Sequence, residues 1–356
     1  MLPAGSVEYF LMHDLFERTS RPGARAPLAV WLLGAGILAV WLLLGAAPAR
    51  AADDPPTGFT YVIYYPDKPD VDLIERLQRN PLITRGLLQW VASLPDTPDR
   101  PSLQATWFDD VGTSYPPPDL QALQQFGRGL DGGQMAALSS ARRALVLEFG
   151  HPQSKAIMAL ALADTLVGAL LEDFGGLPVD VAMRRAISPQ RWLTGRLQQA
   201  SAQGPNVMDH VSLIAAGDGS SVRTVTAGMV KFGLPDLVVE RVAESQVSAV
   251  TWLVNALAQR LIEGQRPNAE GWFDLQLAQI DQDTFQKALD DVVVPGAKGR
   301  GRFLLSPSAR REGDPFNHLV AIGFGAYLGQ DELTQRAAAL NDLFGAKPAG
   351  KAAAQP

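Results

Sequence analysis

Hydrophobic and polar positions change period often along this chain, and the changes mark its elements. "FTYVIYY" (59–65) is a continuous aromatic and β-branched run ended by Pro66, which predicts a buried strand. Leu73, Ile74, Leu77, Leu82 and Ile83 recur at helical spacing with Pro81 between them, so two short helices follow. "SLQATWFDDV" is a second strand, and "GTSYPPPDLQALQQFGRGLDGG" reads as loop, helix and glycine-rich exit. "RRALVLEF" is a short buried strand, and Gly150-His151-Pro152 is a turn. From Ser154 to Asp173 the apolar residues go almost all the way round a helix, which requires burial on more than one face. Gly175 stands where a helix C-cap is wanted.

A related unit lies about 91 residues further on. "LVVERV" (237–242) is a strand, and Ser245 to Gly264 is a helix with Val247, Val250, Val254, Leu257 and Leu261 on one stripe. Leu145, Val146 and Glu148 match Leu237, Val238 and Glu240. Leu162, Leu166 and Leu170 match Leu253, Leu257 and Leu261 after a one-residue gap. Both a diverged duplication and the common look of strand–helix pairs fit this spacing. Between the units, two apolar runs flank Gly217-Asp218-Gly219-Ser220, a hairpin signal, because Asp-Gly tolerates positive φ. "FLLSP" and "HLVAIGFGAY" are late strands. A last helix begins at Asp331, which is placed to cap it. Strands and helices mixed without regular βαβ alternation predict an α+β fold with mixed or antiparallel sheets and two related strand–helix halves. The expected division is 59–200 and 201–345, with a disordered tail over 346–356.

The N-terminus departs from all of this. Leu28 to Ala47 is twenty residues without a charge, preceded by Arg18, Arg21 and Arg25. That length spans about 30 Å as a hydrophobic helix, the thickness of a bilayer core. The run ends in small residues, Ala47-Pro48-Ala49 and Ala49-Arg50-Ala51, as a secretory leader does before cleavage. Residues 1–51 are therefore read as a signal peptide or a retained membrane anchor, with translation beginning at Met1 or Met12, and 52–58 as a polar linker. Either way the arginines hold the N-terminal side in the cytoplasm, so the body faces the periplasm or remains anchored to the inner membrane.

Composition narrows the chemistry. The net charge is −6, and setting aside residues 1–51 leaves 27 basic and 34 acidic residues, or −7. With no basic block, a nucleic-acid surface is excluded as an expectation. The absence of cysteine removes disulfides, thiolate metal sites and a cysteine nucleophile. His151, His210 and His318 are far apart in sequence and lack metal-ligand spacing, so no metal and no cofactor is expected. Neither a G-x-S-x-G elbow nor a phosphate-cradling glycine loop is present. The turn "FGHPQS" could offer N–H groups to an anion, but reads better as an ordinary turn with Ser154 capping its helix and His151 on the surface. Asp109, Asp110, Glu172 and Asp173 are conceivable hydrolytic carboxylates.

"TAGMVKFGLPDLVV" (226–239) is the most distinctive stretch. It reads as a strand–turn–strand corner, with Gly233 free in φ, Pro235 pre-set and Asp236 bonding locally. Lys231, Phe232, Pro235 and Asp236 form its candidate partner-binding loop. Together with "EGDPFNHLVAIGF", which holds Gly313, Asp314, Pro315 and Asn317, and with "YVIYYP", this box resembles a group of uncharacterised bacterial proteins containing domains of unknown function. The resemblance spans residues 59–345 and implies no known activity. The resulting expectation is a non-enzymatic envelope protein that binds a protein or peptide partner, in an immunity or accessory role. The alternative is a cell-wall or lipid hydrolase working through carboxylates.

Overall fold

The computed structural model describes residues 58–345 apart from 113, 199–203, 218–220, 328 and 330. The leader or anchor, nearly all of the linker and the C-terminal tail lie outside the described residues. In chain order the elements are β1 (Gly58–Tyr65), α1 (Leu73–Gln78), α2 (Pro81–Thr84), β2 (Gln89–Trp90), β3 (Ser102–Phe108), α3 (Leu120–Phe126), β4 (Gly127–Arg128), α4 (Gly132–Ser139), β5 (Arg143–Gly150) and α5 (Ala156–Phe174). There follow β6 (Leu177–Asp180), β7 (Arg185–Ile187), α6 (Pro189–Trp192) and α7 (Val207–His210). The second half holds β8 (Ser212–Gly217), β9 (Val222–Ala227), β10 (Asp236–Val242), α8 (Val247–Ile262), β11 (Trp272–Gln276), α9 (Asp283–Asp290), β12 (Arg300–Ser308), β13 (Leu319–Gly323) and α10 (Glu332–Phe344).

The strands form two mixed sheets, so the fold is α+β. One runs β2-β3-β5-β1-β6-β7-β4 and the other β11-β12-β13-β10-β9-β8. The first sheet is central at β1, whose residues after Gly58 are all buried because they alternate between two apolar faces. Phe59, Tyr61, Ile63 and Tyr65 point to one side. Val62 and Tyr64 point to the other, where they meet Leu123 of α3 and Leu138 of α4. The second sheet turns Leu237, Val239, Phe273, Phe303 and Ile322 toward the same core that the first sheet's inner face enters. One sheet draws its strands from residues 58–187 and the other from 212–323, and a single continuous core joins them, filled by α5 and α8.

Each long helix is entered from its strand through a 3-10 turn, Gln153–Lys155 before α5 and Glu244–Gln246 before α8. Neither entry carries a side-chain cap, so Ser154 does not play the expected capping role; burial of the helix beyond it suffices. α5 is long and apolar enough to cross a bilayer by composition, but more than half of it is buried within the protein.

Other differences have local causes. Asp131 and Gln134 form a capping box, so "DGG" begins α4 and is not an exit. β6 escaped a strand reading because "LPVD" carries Pro178, which pairs with Ile63. Gly217 pairs with Val222, giving the hairpin expected around Asp218. Asp331 caps α10 by accepting from the Thr334 amide.

Candidate functional site

The corner between β9 and β10 is where the signature stretches of the sequence meet. Gly228 (φ +121°) turns the chain out of β9, Met229–Phe232 make one 3-10 turn, and Gly233 closes it in the left-handed region (φ +64°). Asp236 then begins β10 beside β13 in parallel, opposite Leu319. Its carboxylate is buried and accepts from Thr226 Oγ1 at 2.7 Å, the Met229 amide at 3.3 Å and Asn317 Nδ2 at 2.8 Å. Burial outweighs these bonds and pushes its pKa up to about 6. Asn317 also donates to the Leu234 carbonyl at 2.9 Å, so the late Gly-Asp-Pro-x-Asn segment closes the corner from above. Gln153, from the "FGHPQS" turn, donates to the Gly233 carbonyl at 2.9 Å.

Beneath the corner lies a charged cluster inside the shared core. Asp180, at the end of β6, stands opposite Tyr61 across the β1 ladder and faces the same way. It accepts from Lys231 Nζ, from Arg196 Nη2 at 2.7 Å and from the Met183 amide at 2.9 Å. Asp164 of α5 accepts from Tyr61 Oη at 3.0 Å and Arg196 Nη1 at 3.3 Å, with His210 Nε2 at 3.8 Å. Arg196 sits in a π-helical turn, Leu193–Gln198, 4.1 Å over the Trp192 ring, and donates to the Asp209 carbonyl at 3.0 Å. The turn can approach α5 because position 168 is glycine: a Cβ there would lie 2.4 Å from Leu197 Cδ1.

Two cations and two carboxylates are thereby sequestered together, and no member of the cluster is more than 4% exposed. Burial raises Asp164 to about 6 despite Arg196, and lowers Lys231 to about 8 despite Asp180. Burial would raise Asp180 as well, but Lys231 and Arg196 bring it below the ordinary carboxylate value. His210 is held neutral, chiefly by burial and then by Arg196 and Lys231. Such a cluster can hold charge in register between the two halves. Closed to solvent, it offers no path for a substrate.

The candidate residues therefore face inward. Lys231, Phe232 and Asp236 are buried, and Pro235 is half-buried, so their side chains form the hub of the corner and present no docking loop. His151 is buried as well, contrary to the surface position expected. It lies 5.9 Å from the Phe59 ring, and its Nε2 has no partner among the described residues. Asp109 is exposed and lowered in pKa by bonds from Trp107 and Lys68, which suits a permanently ionised surface group and not a proton donor. Asp110 accepts from the Gly112 amide, and Glu172 and Asp173 are exposed on α5.

Sequence reasoning missed Tyr61, Asp164, Asp180 and Arg196. The usable signal was Asp164, a lone acid within "AIMALALADTLVGALL", where an unpaired charge would be intolerable.

Solvent reaches the second sheet at a cleft of 440 Å³ lined by Ile214, Ala216, Arg223, Glu240, Arg311 and Asp314 among others. Arg223 binds both oxygens of Asp314 and also Glu240 Oε1 at 2.9 Å. Arg184 ties this rim to the first half through the Gly313 and Asp314 carbonyls, at 2.7 and 2.9 Å. From below, Arg336 of α10, itself buried, donates to the Glu240 and Arg241 carbonyls at 2.8 Å each. Comparison with protein-family profiles, curated proteins and solved structures finds no match to the chain.

Proposed function

We propose that this chain is an exported, non-enzymatic envelope protein that binds an extended peptide segment of a partner along the outer edge of β8. One observation carries the reading. Of the four sheet edges among the described residues, β2 and β4 are two residues long, and β11 is guarded by Asp274 in its sequence. β8 is six residues long, "SLIAAG", with neither charge nor proline. Natural sheets blunt such edges, because unpaired N–H and C=O groups template another strand. Among the described residues no strand lies beyond β8, and such an edge beside a cleft is suited to receive one.

The uncharged run 28–47 and its small-residue exit support export. The buried state of the ionic cluster, and the scatter of Asp109, Asp110 and Glu172 on the surface, support binding over hydrolysis.

The test uses immobilised full-length protein and a displayed library of random dodecapeptides. Enriched peptides should lose at least about tenfold in affinity when alternate backbone amides are N-methylated in one register, and little in the other, because only one set faces β8. Equal sensitivity in both registers, or no enrichment, removes the reading. Cleavage of the selected peptides would favour the hydrolase instead.

A further inference from the structure

Three of the most exposed large apolar side chains lie at one end of the first sheet, and the described residues begin at that same end. Gly58 of β1 pairs with Gly150 of β5, Gly150 with Ser102 of β3, and Ser102 with Gln89 of β2, so these four form one row across the sheet. Leu87, 50% exposed, lies just ahead of that row. Beyond Gly150 the chain passes through His151 and a 3-10 turn into α5, whose first turn exposes Ile157 (42%) and Met158 (45%). The outward face of α5 then runs through Ala161 and Thr165 and meets no charge until Glu172 and Asp173. A helix facing water usually carries charge on that face, so this uncharged stripe asks for a cover. Residues 48–57, ten in number, separate Gly58 from the uncharged run Leu28–Ala47. Fully extended, they reach no more than about 35 Å. With that run in a bilayer, this end of the sheet is held close to lipid, and so short a tether makes even a weak surface contact effective.

We propose that this end of the first sheet seats on the lipid bilayer, with Leu87, Ile157 and Met158 in the interfacial layer and α5 rising away from it. The proposal rests on reading residues 28–47 as a retained anchor. Charge does not drive the contact. Arg85 and Lys155 are exposed here, but so is Asp96, in the loop whose Leu94 and Pro98 pack on Gly150, and Asp99 pairs with Arg100 at 3.5 Å. Apolar burial drives it instead, and lipid charge is immaterial. A planar surface suits the arrangement because Leu87 and Met158 belong to different elements. A helix laid along α5 would cover the stripe from Ile157 to Thr165 and leave Leu87 in water. On a bilayer the stripe is graded, since Met158 and Glu172 stand about 21 Å apart along the helix axis.

The chain has no cysteine, so single-cysteine variants of the full-length protein can each carry one nitrobenzoxadiazole label in phosphatidylcholine vesicles. Flotation after an alkaline wash first shows whether the chain is inserted. Labels at Met158→Cys and Leu87→Cys should then lose about half or more of their emission to lipids bearing a nitroxide near the headgroup. Thr165→Cys should lose less, and Glu172→Cys and Leu333→Cys nothing. Raising the salt to about 0.5 M should leave this pattern unchanged. All five positions are on the surface, so each variant should melt with the natural protein. Inserted protein whose Met158 label is unquenched, or whose Met158 label alone is quenched while Leu87 is not, overturns the seating and leaves the anchor standing. Labels at Met158 and Thr165 equally shielded from iodide, with no quenching by lipid, assign the stripe to a second copy or to residues 28–47 and overturn it as well. Protein that does not float overturns the anchor reading and the seating with it.

Discussion

Two charged networks flank the corner from Gly228 to Asp236, and they show how surroundings decide what a salt bridge is for. The inner one, Asp164–Arg196–Asp180–Lys231, has no access to water, so every charge has to find its counter-charge within the protein. The outer one, Arg223–Asp314–Glu240–Arg311, has a paired floor and an exposed rim, where a guanidinium costs little to keep available. The inner network joins the two halves; the outer one keeps its rim in contact with water. Both pair arginine with carboxylates, and desolvation is what separates them.

The sharpest way to break this contrast is Asp180→Ala. It leaves Lys231 and Arg196 without their common partner, and urea unfolding should show a loss of roughly 3–5 kcal/mol. A loss below about 1 kcal/mol would mean that the inner cluster is no more structural than the rim.

Asp236→Asn tests the buried carboxylate of the corner through pH. Its pKa is raised to about 6, so the folded state holds a proton there that the unfolded chain has released. The stability from that proton is fully present below the unfolded value near 4 and is lost as pH rises through 6. Relative to the Asn variant, the natural protein should therefore gain as pH falls from 7 to 4, by up to about 3 kcal/mol. A pH-independent difference between the two melting curves would contradict the assignment.

Gly228→Ala should cost roughly 1–3 kcal/mol, since φ is +121° and a Cβ would stand 2.5 Å from the His210 carbonyl oxygen. Thermal melting at neutral pH measures it; an unchanged melting temperature would mean the corner has room to relax. At the small end, Arg311→Ala should shift stability by less than about 0.5 kcal/mol. A larger shift in the denaturation midpoint would place Arg311 with the inner network after all.

The paired strand–helix units teach a related lesson. The offset that aligns Leu162, Leu166 and Leu170 with Leu253, Leu257 and Leu261 also aligns Asp164 with Asn255, and both are buried. Asp164 meets Arg196 and Tyr61, whereas Asn255 Oδ1 has no partner among the described residues. Strand, 3-10 entry and helix are the same in both units, but the neighbours differ: β5 lies between two antiparallel strands, and β10 between one antiparallel and one parallel. Local pattern repeats where topology does not.

Much of the architecture could be read before folding. The run at 59–65, the all-round apolar helix after His151, the hairpin about Asp218 and the cap at Asp331 follow from side-chain period and turn chemistry, which act over a few residues. Short edge strands and β6 were hidden because two to five residues, one of them proline, carry no period.

The sequence by itself determined the α+β class, the order of the main elements and the importance of the Lys231–Asp236 corner as a place where the chain must turn. Only the tertiary structure decided that Lys231 points into the core. Residues as distant as 61, 164, 180 and 196 converge there, and no local pattern encodes a pairing across 135 positions. Burial is a property of the assembled surfaces, and it is burial that shuts one set of charges away from water and leaves the other at the surface.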